Sequence, residues 1–352
     1  MAQSKRIEQL TFPRFISAFI IMVAHTKPSW FVDDAWFNPL FHGFFAVTFF
    51  FVLSGFVLGL SYNDKFEENK TEDLKKYFIL RVARIYPIYA LAILATMAGD
   101  YLYLDKTYSI GTVLLNLSLL QAWFRSDYIS FPAWSLSCEA FFYIIFPFVM
   151  IYVRRLSYIN VMKKTLYVWV FSLAGITLLV VVLFPGDLFW HTHPLVNAPS
   201  FLLGVGTSVI YRRLSQENEK LKFYSGVALA VVVAAVGGQL LSKPSYAIEM
   251  AQVPSFMLFL LFLALMSESH FLVKLFKNKF LVLLGKASYA LYLFHTLTYE
   301  IWSRELEKVF TGQSRLLYVV AMIFMITVSV VLYKFYEKPM YRLITTVSKV
   351  RK

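Results

Sequence analysis

Apolar residues in this 352-residue chain run in long blocks, separated by short polar stretches rich in Lys and Arg. Blocks long enough to cross a bilayer cover 8–30, 42–62, 85–104, 134–153, 165–184, 197–211, 223–241, 250–267, 281–301 and 315–335. Each approaches the ~20 residues that a helical crossing of the hydrocarbon requires. Backbone N–H and C=O groups find no water in lipid, so helices are the expected form. An eleventh block, 110–124, is shorter and holds Asn116 and Gln121. It is expected to dip into the membrane or lie at its interface. The pattern therefore predicts an all-α polytopic membrane protein: about ten transmembrane helices, one short re-entrant or interfacial segment and both termini cytoplasmic.

The placement of charge sets that orientation. With ten crossings and the N-terminus inside, 26 of the 34 Lys and Arg residues fall on one side, seven on the other, and Arg14 lies within the first span. A full crossing by 110–124 would send every later basic loop outside and destroy the asymmetry that cytoplasmic loops show. Residues 1–340 are read as one transmembrane domain and 341–352 as a short basic cytoplasmic tail suited to anionic lipid.

Composition narrows the classes further. The chain is 59% hydrophobic, well above a soluble domain. Its net charge of +13 lies between apolar blocks, which argues for a membrane surface and against nucleic acid. A single cysteine, Cys138, excludes an internal disulfide and a Cys-based metal site. The pair His191 and His193 lacks further ligands beyond Asp187, so no metal is expected. Lys5 and Arg6 before an apolar run resemble a signal peptide. Arg14 and His25 interrupt that run and no small-x-small site follows, so it is read as the first span.

Ionisable groups inside apolar blocks mark the candidate chemistry. Arg14 and His25 are eleven residues apart, about three turns, so they share one helix face roughly 16 Å apart along the axis. One face then carries a cation at one depth and a base at another; snorkelling to two interfaces is the plainer alternative. Arg81 and Arg84, at i and i+3 before a span, suit phosphate or lipid headgroups. Ser54 and Gly55 sit mid-span among aromatics, where small residues let backbones or ligands approach. Glu139 lies about a turn inside the span that Pro132 and Trp134 begin, and needs a partner there; His25, toward the same side, is one. A carboxylate that orients an imidazole makes a general base. Ser288, Tyr292 and His295 fall near one stripe of a later span, where a structural histidine is the plainer reading.

Taken together, Arg14-x10-His25, Phe51-Val52-Leu53-Ser54-Gly55-Phe56, Arg81-x-x-Arg84-Ile85-Tyr86-Pro87, Trp134-Ser135-Leu136-Ser137-x-Glu139 and Ser288-Tyr289-x-Leu291-Tyr292-Leu293-x-His295 resemble the membrane-bound acyltransferase-3 family, in order and over nearly the whole chain. The resemblance implies an O-acyltransferase of the bacterial inner membrane. Such an enzyme moves an acyl group, most often acetyl from cytoplasmic acetyl-CoA, to a cell-envelope carbohydrate such as O-antigen, exopolysaccharide or peptidoglycan, or to a lipid-linked oligosaccharide. It implies His25 and Glu139 as catalytic residues, with His25 either deprotonating the acceptor hydroxyl or carrying the acyl group. Arg14, Arg81, Arg84, Ser54, Tyr86, Trp134, Ser137, Tyr292 and His295 are the matching donor- or substrate-binding positions. Acetyl-CoA is then a substrate, and no permanently bound cofactor is implied. Many members carry a second acid directly after the glutamate; here it is Ala140. Some members carry an additional extracytoplasmic hydrolase-like domain, to which no stretch of this sequence corresponds. The acceptor is therefore expected to meet the membrane domain itself. The rival reading from the residues is a transporter or flippase whose buried Arg14, His25 and Glu139 line a substrate or proton path.

Overall fold

The computed structural model describes residues 7–26, 43–62, 66, 71–215, 253, 256–261, 264, 271–306 and 315–350. Among the described residues every regular element is helical. In chain order they are α1 (Phe12–Thr26), α2 (Gly43–Tyr62), α3 (Thr71–Leu104), α4 (Ile110–Leu117), α5 (Trp134–Arg154), α6 (Tyr158–Phe171), α7 (Leu188–Thr192), α8 (Pro194–Ser215), α9 (Phe271–Phe276), α10 (Lys279–Ile301), α11 (Arg315–Leu332) and α12 (Lys338–Val347). Wider π-turns extend α6 to Leu183, extend α10, and join α11 to α12 through Tyr333–Glu337.

Among the described residues seven stretches are long and apolar enough to cross a membrane: Gly43–Tyr62, Thr71–Leu104, Phe131–Arg154, Tyr158–Leu183, Leu188–Ser215, Lys279–Arg304 and Leu316–Val347. They match seven of the ten predicted blocks, and α1 occupies the middle of the first. Block 223–241 lies outside the described residues, as does most of 250–267. Several bounds differ from those expected. Helix α3 begins at Thr71, well before the apolar block at 85, because nothing in the mixed-charge stretch up to Arg84 breaks a helix. At ~1.5 Å per residue its 34 residues exceed the ~30 Å hydrocarbon thickness, so its charged turns extend beyond the lipid.

The expectation for 110–124 gains structural content. It forms α4, only eight residues long, followed by a turn through Leu119 at φ 60 and a 3-10 turn, Gln121–Trp123. Eight residues rise ~12 Å and cannot span.

The chain divides into two compact units. The first comprises Met1–Pro13, Phe44–Thr71 and Cys138–Val282; the second comprises Arg14–Gly43, Glu72–Ser137 and Leu283–Lys352. In the first unit, Val52, Leu53 and Phe56 of α2 bury against Val196 and Leu203 of α8 and against Phe256 and Leu260. Glycine sets how closely α2 and α8 approach. A Cβ at Gly55 would fall 2.0 Å from the Phe201 carbonyl oxygen, and one at Gly204 would fall 2.0 Å from that of Val52. A Cβ at Gly59 would fall 2.1 Å from the Ser208 hydroxyl oxygen, a side-chain contact. The Gly55-x3-Gly59 and Gly204-x3-Ser208 ridges are small-residue packing in which backbones touch.

In the second unit a buried polar net holds the segment around α4. Asn116, fully buried, donates from Nδ2 to the carbonyls of Thr112 (2.9 Å) and Asp127 (3.0 Å) and accepts from the Ile129 N–H (3.2 Å). Tyr89 of α3 donates to the Asn116 carbonyl at 2.5 Å. Gln121 donates to Tyr89 (3.2 Å) and to the Ala133 carbonyl (2.9 Å). Buried polar groups away from water need partners, and this net supplies them to the Asn116 side chain and to the Gln121 amide nitrogen without a crossing helix.

Candidate functional site

Three of the sequence motifs meet in the second unit. Helix α1 carries Arg14 near its start and His25 in its last turn. His25 is exposed, and its Nδ1 lies 2.8 Å from Nε2 of His295, which is fully buried on α10. The two ring planes are 12° from parallel. His295 is held in turn through Nδ1, 2.8 Å from the Tyr292 carbonyl and 3.3 Å from that of Leu291. These are the carbonyls one turn back along α10, so the imidazole folds onto its own helix.

Tyr292 fastens α10 to the start of α5. Its hydroxyl donates to the Pro132 carbonyl at 2.7 Å and lies 2.6 Å from the Ser135 hydroxyl. Ser137 donates to the Leu119 carbonyl at 2.6 Å, and Trp134 is buried. Phe131 packs edge-on against the His25 ring with centroids 5.6 Å apart. Pro132, at the start of the turn that leads into α5, fits where an N–H would go unused. Thus the Arg-x10-His, Trp-Ser-Leu-Ser and Ser-Tyr-x-Leu-Tyr-Leu-x-His motifs build one shell, whose accessible member is His25. Gly43 lies beside it: a Cβ there would stand 3.8 Å from His25 Nε2, in ordinary contact.

Glu139 belongs to the first unit, whereas His25 lies in the second. Its Oε1 accepts from the Ser54 hydroxyl at 3.4 Å and from the Tyr143 hydroxyl. The Ser54-Gly55 pair therefore has divided duties: Gly55 admits α8, while Ser54 reaches the carboxylate. Tyr143 was not singled out in the sequence, although its i+4 spacing from Glu139 on a helix places the two side chains together.

Two arginines of the second unit act on an acid that sequence reasoning passed over. Glu337, in the π-turn between α11 and α12, is the carboxylate on which Arg84 and Arg14 act electrostatically. Its Oε2 is buried and has no hydrogen-bond partner among the described residues. Arg81 lies 5.7 Å over the Tyr77 ring. Tyr86 is exposed and packs near Tyr89, with centroids 6.4 Å apart. A lone acid among the basic residues that follow Tyr333 was the available signal for Glu337.

His191 and His193 serve packing and capping. His191 sits against Phe44 with centroids 4.1 Å apart, and His193 Nδ1 accepts from the Leu195 N–H at 3.3 Å. Among the described residues no group of three His, Cys, Asp or Glu could hold a metal ion.

Comparison with known proteins agrees with this assembly of motifs. The family model described as an acyltransferase domain, acyltransferase-3, matches residues 7–334. The chain belongs to the acyltransferase-3 family. This acyltransferase-3 chain is 31% identical to the acyltransferase MdmB of Streptomyces mycarofaciens over 164 residues, 43% of the chain and 41% of that protein. It is 26% identical to the putative acetyltransferase ORF330 of Acidianus two-tailed virus, over 65% of the chain and 67% of that protein. With the putative O-acetyltransferase SACOL0978 of Staphylococcus aureus (strain COL) it shares 24% over 80% of its length, which is 49% of the relative. It thus spans less than half of the first and third of these relatives. No solved structure matches it.

Proposed function

We propose that this acyltransferase-3 chain is a multi-pass O-acyltransferase of the bacterial cytoplasmic membrane. Its donor is acetyl-CoA, taken from the cytoplasm, and its acceptor is a hydroxyl of a cell-envelope carbohydrate, lipid-linked or polymerised. One observation carries the reading: an accessible imidazole, His25, backed by a buried partner where three family motifs converge. An imidazole within reach of an acceptor hydroxyl is a general base, and its companion at the other end of α1 is a cation.

In the reaction, His25 takes the proton from the acceptor hydroxyl as the oxygen attacks the thioester carbonyl. The C–S bond then breaks, the acyl group stays on the acceptor oxygen, and the proton passes to the CoA thiolate. Arg14, Arg81 and Arg84 are assigned to the donor's phosphates, which guanidinium forks suit. In the second unit Tyr86 and the shell of Trp134, Ser137 and Tyr292 are assigned to shaping the substrate path; in the first, Ser54, which donates to Glu139, is assigned to substrate contact.

The test is transfer of labelled acetyl from acetyl-CoA by the full-length protein in proteoliposomes supplied with envelope glycan. His25→Ala is expected to reduce transfer by about 10²-fold or more, and Glu139→Gln to reduce it as well. Wild-type protein that moves the glycan across the bilayer without CoA-dependent labelling would favour a transporter. Near-normal transfer by His25→Ala would remove His25 from the mechanism.

A further inference from the structure

We infer that His295 is a positioning residue that fixes the tautomer of His25, so that Nε2 of His25 is the basic nitrogen. The inference rests on the acyl-transfer reading and adds a role that reading does not contain. The argument follows the protons. Both groups facing His295 Nδ1 are carbonyl oxygens, at 2.8 and 3.3 Å, and a carbonyl only accepts. Nδ1 of His295 therefore carries a proton.

His295 is fully buried, and neither carbonyl nor imidazole supplies an anion to balance a second proton there. In the neutral ring Nε2 is a lone pair. That lone pair lies 2.8 Å from His25 Nδ1, so His25 is the donor of the bond. A neutral His25 holding its proton on Nδ1 has its own lone pair on Nε2. This is the nitrogen on the Gly43 side of the ring, away from His295.

The chain of contacts is polar from end to end: α10 carbonyls, His295, His25, acceptor hydroxyl. When His25 Nε2 takes the acceptor's proton, the imidazolium keeps its Nδ1–H bond to a fixed acceptor. His295 thus performs, as a neutral ring, the orienting task that a carboxylate performs beside a catalytic histidine elsewhere. Tyr292 completes the support, since its hydroxyl bonds hold α10 against the start of α5.

The test uses full-length protein with 15N-labelled histidine in nanodiscs, His25 being assigned by the signals lost in His25→Asn. In the wild type, His25 is expected to carry its proton on Nδ1. In His295→Phe, which removes the acceptor, the Nε2–H form is expected to appear. Kinetically, His295→Phe should lower kcat by about 10- to 100-fold, the usual effect of losing an outer partner, with the acetyl-CoA KM within about twofold. His295→Gln, whose Oε1 can accept the same bond, should recover most of the loss. A wild-type His25 protonated on Nε2, or equal kcat losses in well-folded Phe and Gln variants that both elute monodisperse, overturns the assignment. The spectrum needs no acceptor glycan. A failed acyl-transfer assay with an Nδ1-protonated His25 would thus count against the function and leave the tautomer standing.

Discussion

Charge around the arginines proposed to hold the donor is decided by single residues. Arg14 and Arg84 act on the Glu337 carboxylate, whose second oxygen is buried without a hydrogen-bond partner among the described residues. If these arginines also meet the donor's phosphates, Glu337 competes with the donor for the same cations. Two opposite consequences follow. Arg81→Ala with Arg84→Ala should raise the acetyl-CoA KM about tenfold or more, since charge-assisted bonds contribute ~1.5–3 kcal/mol each. Glu337→Gln should lower that KM about two- to fivefold, matching ~0.5–1 kcal/mol for one partly screened charge. Both are read from initial rates against acetyl-CoA at fixed acceptor. An unchanged KM in the double arginine variant would remove the phosphate role, and a raised KM in Glu337→Gln would make the acid a support for the arginines. Sequence spacing alone was enough to single out Arg14, His25, Glu139 and His295, because ionisable groups stand out in apolar runs. It could not show which of them pair. Glu139 and His25 each have partners that the spacing left open, Ser54 and Tyr143 for one and His295 for the other. Such pairing depends on contacts between residues as many as 270 positions apart, which local periodicity does not encode.

Among the elements, helix existence was legible and helix limits were not. Hydrophobic blocks report where lipid is, whereas helices such as α3 continue past it wherever no breaker intervenes. The short α4 follows the same logic in reverse. Its polar Asn116 turns inward to a complete set of partners, while Ile110 and Leu114 are exposed at 80% and 62%. An apolar outer face over a buried polar anchor is what an interfacial segment requires. The glycines of α2 and α8 carry the strongest demand on packing. A methyl group 2.0 Å from a backbone oxygen cannot be accommodated by rotating a side chain. Gly55→Ala or Gly204→Ala should therefore separate α2 from α8 and destabilise the first unit by ~1–3 kcal/mol or more. Thermal melting in detergent should show a clear fall for each, whereas Gly111→Ala, whose Cβ would meet only Ser109 Oγ at 3.8 Å, should melt like the wild type. A Gly55→Ala protein as stable as wild type would mean that the two helices do not touch through their backbones.

For the molecule as a whole the deciding quantity is sidedness. Helix α3 ends at Leu104 and α5 begins at Trp134, and between them only the ~12 Å α4 intervenes. A chain that crosses in α3 and again in α5 must therefore keep Lys106 and Arg125 on one side and return Arg155 to the side of Lys75. By the positive-inside rule the basic side is expected in the cytoplasm, where the proposed CoA donor would be met. The same orientation would turn the end of α1 that carries His25 outward, toward the proposed glycan acceptor. The only cysteine, Cys138, is buried, so single cysteines introduced elsewhere report without a competing thiol. In intact cells a membrane-impermeant maleimide should label Lys106→Cys and Lys243→Cys. It should reach Arg155→Cys and Lys349→Cys only after permeabilisation. Labelling of Arg155→Cys and Lys243→Cys from the same side would invert the second half of the chain. The C-terminal basic segment would then face outward, and the count of Lys and Arg that places both termini in the cytoplasm would fail.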